Sequence, residues 1–235
     1  METERKNARG SLLSEIILGG QDGLVNVLGI VLGVAVATNN VLMVIVAGIV
    51  ATFAESISMA AVAYSSSRAA QDHYKRELEQ EKWEIENVPE IEREEIRLIY
   101  LRRGFSGKEL DKIVRNVTAS KEVWLSVMMT EELGLAPVPE NQPIKAAAIV
   151  GVSAIVGSLI PLAPFAFFGV VEAIAASLVI STITLFAVGA YKAKVTVGDW
   201  KKSGLEMAGV GMLAAIAGYL IGKIAGSALG LGGAL

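Results

Sequence analysis

Residues 12–37 read LLSEIILGGQDGLVNVLGIVLGVAVA, and this stretch decides the fold. It carries only two ionisable side chains, Glu15 and Asp22. A helix needs about 20 mostly apolar residues to cross a hydrocarbon core roughly 30 Å thick. The stretch is too long for a signal-peptide core and has no convincing small-residue cleavage site, so it reads as a retained transmembrane helix.

Four more segments have the same character: 41–64, 146–167, 170–191 and 205–226. The whole chain is 53% hydrophobic and only 19% charged, with a mean hydropathy of +0.52, which is outside the range of ordinary soluble domains. Thr38-Asn39-Asn40 makes the first turn, and Pro161 and Pro164 end or kink the third span, because proline removes a backbone donor. No inverted internal repeat is visible. The expected fold is an all-α membrane protein of five spans.

The charges are concentrated. Residues 71–140 hold 16 of the 24 acids and 11 of the 21 bases, so a polar domain is expected between the second and third spans. The expected organisation is 1–67 for the N-terminal arm and spans one and two, 68–143 for the inserted domain, and 144–235 for the last three spans. Three helices are expected in the insert. The first, 68–87, continues the second span, and the second, 90–103, follows Pro89 and closes at Gly104. The third starts at a Ser106/Glu109 capping box and runs to Leu133, with a bend near Thr118-Ala119-Ser120.

Arg5, Lys6 and Arg9 precede the first span, and Lys192, Lys194, Lys201 and Lys202 join the fourth to the fifth. The positive-inside rule then puts the N-terminus and the inserted domain in the cytoplasm and the C-terminus outside. Lys223 departs from the pattern and can snorkel from the end of the last span.

Several functions are excluded by residue content. There is no cysteine and one histidine, His73, so thiolate zinc sites and thiol catalysis are absent. No Glu-x-x-His motif suggests a ferritin-like di-iron bundle, and no phosphate-binding loop suggests ATP hydrolysis. The net charge of −3 argues against a nucleic-acid partner.

Acids within a membrane span are costly and mark ion pathways by default. Asp22 sits deep in the first span within Gly19-Gly20-Gln21-Asp22-Gly23; the alternative is a structural aspartate with a fixed partner. Glu55 and Met59 share a face of the second span, offering hard oxygen and soft sulfur, a combination suited to iron(II). Met59 could equally be packing. Glu172 reads as a headgroup-boundary or exit-route residue, and Glu206 as solvated. In the insert, Glu77, Glu81 and Glu84 share one helix face, Glu92 pairs with Glu95, and Met128 pairs with Glu132 beside Met129. A solvated acidic face is the competing reading, with Lys82, Arg93 and Arg97 as partners.

These residues carry a family resemblance. Asp22-Gly23-Leu24, Ser58-Met59-Ala60, Glu131-Glu132-Leu133-Gly134-Leu135, Ser158-Leu159-Ile160-Pro161-Leu162, Gly189 with Lys192, and Ser203-Gly204-Leu205-Glu206 match it. The sequence resembles the vacuolar iron transporters of plants and fungi and their prokaryotic relatives. The resemblance implies a five-span homodimer that exchanges cytoplasmic iron(II), and often manganese, for protons along a path between subunits. It places Asp22 and Met59 on that path. It places Glu81, Glu84, Glu92, Glu95, Met128, Met129 and Glu132 among the metal ligands of the inserted domain, where cobalt or zinc could also bind. No permanent cofactor is implied. Where the family has Gly-Glu-Tyr/Phe, this chain has Val62-Ala63-Tyr64, and Glu55, two turns away on the same stripe, is the candidate replacement. The expected function is proton-coupled metal export, with a prokaryotic plasma membrane as the expected location. A membrane-anchored metal-binding or metal-oxidising protein and a cation channel are the alternatives.

Overall fold

In lipid, every backbone polar group has to be satisfied within the chain, and an uninterrupted helix does this segment by segment. The computed structural model describes residues 2–196 and 198–231, and these are helical with no strand among them. The helices are α1 (Glu2–Thr38), α2 (Val41–Asn87), α3 (Pro89–Arg102), α4 (Gly107–Val117), α5 (Lys121–Val127), α6 (Gln142–Leu162), α7 (Val170–Val195) and α8 (Trp200–Leu229). Five of them, α1, α2, α6, α7 and α8, are long and apolar enough to cross a membrane. Four of the expected spans fall inside these helices; the third, expected over 146–167, leaves regular helix at Leu162, five residues early. The N-terminal arm is helical from Glu2, whereas the side chains of Arg5, Lys6 and Arg9 and the tail 232–235 lie outside the described residues.

The chain divides into two compact units at Tyr64/Ser65 and at Pro143/Ile144. In the first unit α1 is central: Val27, Val31 and Ala35 are fully buried among Val44, Leu162, Phe165 and Ala173. Lipid tails are as apolar as leucine, so close backbone approach has to supply the packing. Glycines provide it on two sides of α1. A Cβ on Gly19 or Gly23 would overlap the carbonyl oxygen of Val150 or Ala154 on α6. A Cβ on Gly218 or Gly222 of α8 would overlap that of Gly29 or Gly33. Pro161 lies inside the last turn of α6, which closes at Leu162; a 3₁₀ turn over Ala163–Ala166 follows, and Ser177 of α7 donates to the Pro161 carbonyl at 2.8 Å. Asp199 caps α8 through the amides of Lys201 and Lys202.

The second unit contains the end of α2 with α3, α4 and α5, around a core of Ile85, Ile96, Leu110, Val114, Trp124 and Met128. Pro89 opens α3 and Gly104, at φ 95°, follows its end. The segment expected as one third helix is two, α4 and α5, because Thr118–Ser120 breaks it and Ser120 accepts the Val123 amide as N-cap of α5. Ser106 is the N-cap of α4 but makes no side-chain capping bond, and Gly107 behind it takes φ 56°. Gln71, almost wholly buried, donates to the Pro139 carbonyl at 3.3 Å and accepts from Arg68 at 2.9 Å, tying the returning linker to α2.

The glycine contacts make a direct test. Gly222→Leu drives a side chain into the Gly33 backbone, which cannot yield as a side chain does, and should cost about 1–3 kcal/mol. Gly209→Leu, on the same helix with open space at its Cβ position, should leave the melting temperature of the detergent-solubilised protein unchanged. Equal effects of the two would refute the close-approach account.

Candidate functional site

Each unit holds one group of the acids singled out in the sequence. In the first unit, Asp22 and Asn26 are four residues apart on α1 and so share a face. Both meet Glu55 of α2. Asn26 donates its side-chain amide to Glu55 Oε1 at 2.5 Å, and Asp22, one turn before Asn26, is near enough for its charge to act on the Glu55 carboxyl. The rotation of α2 that aims Glu55 at α1 is held by the next residue: Ser56, buried, donates to the Gly151 carbonyl of α6 at 2.8 Å. Met59 follows Glu55 by one turn on the same stripe, partly exposed, and Ala63 lies one turn beyond it.

The structure therefore brings Asp22 together with Glu55. Asn26 was missed by sequence reasoning, because a neutral amide in a span carries no signal that separates a ligand from packing. Glu172 is exposed in the first turn of α7 and Glu206 is exposed on α8, both apart from this group in sequence and element.

In the second unit, Glu81 and Glu84 on α2 face Glu92 on α3, with one oxygen from each lying within 4.8 Å of the other two. Glu81 and Glu92 are buried at 5% and 3% exposure, and each has an Oε2 with no hydrogen-bond partner. Two orphaned carboxylate oxygens inside one cluster fit a divalent cation, which supplies the missing charge and ligand at once. Burial, then repulsion from Glu95, Glu81, Glu84 and Glu132, pushes Glu92 up to about 8. Burial, then Glu132 and its neighbours, pushes Glu81 up to about 7. Glu132 is raised by burial and by Glu95 and Glu84. Glu95 and Glu132 are thus close enough to join the same field.

Two of the three basic residues expected to neutralise a solvated face, Arg93 and Arg97, are engaged with other acids; Lys82 is exposed and pairs with none of the cluster among the described residues. Arg93 pairs with Glu90 at 2.5 Å, and Arg97 with Asp111 at 2.8 Å and Glu94 at 3.4 Å. Gln80 donates to Glu84 at 3.1 Å. His73 lies outside the cluster, 3.2 Å from Arg76 and 3.4 Å from Glu77.

Met128, Met129 and Glu132 occupy a π-helical turn, Met128–Glu132, that continues α5. Both methionines are buried, and Met128 belongs to the core beside Ile96. The wide turn has no signature in the sequence; such turns are rare and concentrate at functional sites.

The model of the VIT family matches residues 13–223. Vacuolar iron transporter 1 of Arabidopsis thaliana is 30% identical over 223 residues, covering 94% of this chain and 89% of the relative. The vacuolar iron transporter of Plasmodium falciparum is 34% identical over 231 residues, covering 94% and 85%. Vacuolar iron transporter 2 of Oryza sativa is 31% identical over 222 residues, covering 94% and 90%. The five long apolar helices are those of a multi-pass membrane protein, and a match that runs from the first of them into the last shows that the chain belongs to the VIT family.

Proposed function

We propose that this protein carries divalent transition metals, iron(II) first among them, across a membrane in exchange for protons. The observation that carries the reading is the Asp22–Asn26–Glu55 group: two carboxyls and an amide, on adjacent spans, in a region where ionisable side chains are costly. Support also comes from relatives named for iron transport.

A proton held between Asp22 and Glu55 and a divalent ion coordinated by them are alternatives at the same oxygens. Loading one expels the other, which is the elementary act of an antiporter. Asn26 would fix the Glu55 oxygen during that exchange. Met59, one turn away, would add a thioether that favours iron(II), and after it manganese, cobalt or zinc, over magnesium. Asn26 is exposed on the single chain and Asp22, Glu55 and Met59 only partly covered, so lipid would meet them directly. A second copy applied to this face would remove that cost, which supports a homodimer with the path between its subunits.

In the same reading 68–143 is a cytoplasmic domain that collects the metal with Glu81, Glu84, Glu92, Glu95, Met128, Met129 and Glu132. Transport then runs out of the cytoplasm, the C-terminus lies outside, and the membrane is a prokaryotic plasma membrane. Glu55 stands in for the carboxylate that Ala63 lacks.

Two substitutions test the group between the spans. Asp22→Ala should abolish cobalt or iron(II) flux into proteoliposomes while the protein keeps its melting profile, and Glu55→Gln should lower it strongly. Near-normal flux through well-folded Asp22→Ala would remove the path assignment.

The cluster should titrate. An unfolded glutamate loses its proton near 4.5, whereas folded Glu81 and Glu92 hold theirs to about 7 and about 8. The folded state therefore keeps protons that the unfolded state has released, and metal-free protein should lose stability as pH rises from about 5 to 8. Zinc should bind more tightly over the same interval, displacing those protons, and should flatten the stability profile. Calorimetry that found zinc and magnesium binding alike, with no pH dependence, would leave only an acidic surface. Met128→Leu with Met129→Leu should narrow the gap between zinc and magnesium.

A further inference from the structure

Metal transport leaves one feature of the first unit unused: a slot that α1 and α7 line, joined in its deeper part by α6. Two cavities, of about 700 Å³ and 370 Å³, share Ile17 and Gln21 and so run into each other. The first opens among Gly10, Leu13, Ser14, Lys192 and Thr196. The second continues past Leu24, Val156, Ile160, Thr184 and Val188. From Gly10 to Leu24 along α1 is about 21 Å at 1.5 Å per residue. That exceeds one leaflet's share, about 15 Å, of a hydrocarbon core roughly 30 Å thick.

The polar groups are not spread evenly along this slot. Lys192, in the last turn of α7, stands at its mouth, exposed, and makes no ion pair among the described residues. Gln21 and Ser14 line the same opening, and their side chains make no hydrogen bond among the described residues. Deeper in, the walls are almost wholly apolar. Gly189, one turn before Lys192, lets the backbone of α8 pass at Ser203, so the end of α7 is held on α8 while Lys192 turns toward α1.

We propose that this slot binds one phospholipid with an anionic headgroup. Lys192 meets the headgroup, Ser14 and Gln21 donate to the phosphate and the glycerol esters, and an acyl chain runs along the apolar walls toward Ile160. An unpaired lysine favours an anionic lipid over a zwitterionic one, which brings its own cation. Basic openings between spans at a membrane edge are suited to such headgroups.

Native mass spectrometry of the full chain in mild detergent, with phosphatidylglycerol and phosphatidylcholine in equal amounts, tests this. The protein should retain phosphatidylglycerol about fivefold over phosphatidylcholine, the effect of one basic residue at a membrane surface. Lys192→Gln should bring the ratio to about one, and Lys192→Arg should keep the preference. Lys194→Gln removes the same charge from the same turn but not from the slot, and should leave the ratio unchanged. Excess inorganic phosphate or glycerol phosphate should not displace the lipid, because neither has an acyl chain. Equal retention of the two lipids, equal loss with Lys194→Gln, or displacement by phosphate alone would each overturn the assignment.

Discussion

A carboxylate placed inside a membrane has to be answered by something, and in this protein much of the architecture of the first unit serves the answer. Asp22 stands on α1, between glycines that bring α6 against it and before the valines of the buried core. That packing leaves α1 little freedom to rotate. Ser56, bonded to the α6 backbone, sets the rotation of α2 in the same frame. Two helices held against a common third therefore present Asp22, Asn26 and Glu55 to one another, and the hydrogen bond from Asn26 to Glu55 follows from backbone packing some distance from it.

The two acidic groups are built on opposite principles. The one between spans is small, with an amide donor already supplied. The one in the second unit is crowded with negative charge, with Arg93 and Arg97 occupied by other acids and two of its oxygens left without partners among the described residues. Mutual repulsion in such a cluster is relieved by a cation or by protons, so its elevated titration and the metal affinity proposed for it have one cause. In the proposed transport cycle the crowded group gathers metal, and the sparse group passes it on against protons.

Much of this was legible in the sequence, and the residues show why. Five apolar runs are an unambiguous consequence of bilayer thickness. The depth of Asp22 and Glu55 could be counted directly, and the helical spacing of Glu81 and Glu84 put both on one face. Other features had no local signal. Asn26 looks like any small polar residue in a span until α2 is rotated against it. The turn over Met128–Glu132 reads as ordinary helix, since nothing in Met-Met-Thr-Glu-Glu announces a wider pitch. Ser106 and Glu109 have the spacing of a capping box, yet Gly107 between them takes a left-handed conformation and the cap fails, while Ser120, which drew notice only as part of a bend, caps a helix of its own.

The central claim is that metal and protons exchange at Asp22 and Glu55. The most direct measurement follows both at once: iron(II) or cobalt entry into proteoliposomes with an acidic lumen, with internal pH recorded in the same vesicles. The account predicts that metal entry and a rise in lumenal pH begin together and scale together as external metal is raised. Metal entry at constant lumenal pH would contradict it and favour a channel, and metal binding with neither entry nor a pH change would leave a binding protein in the membrane.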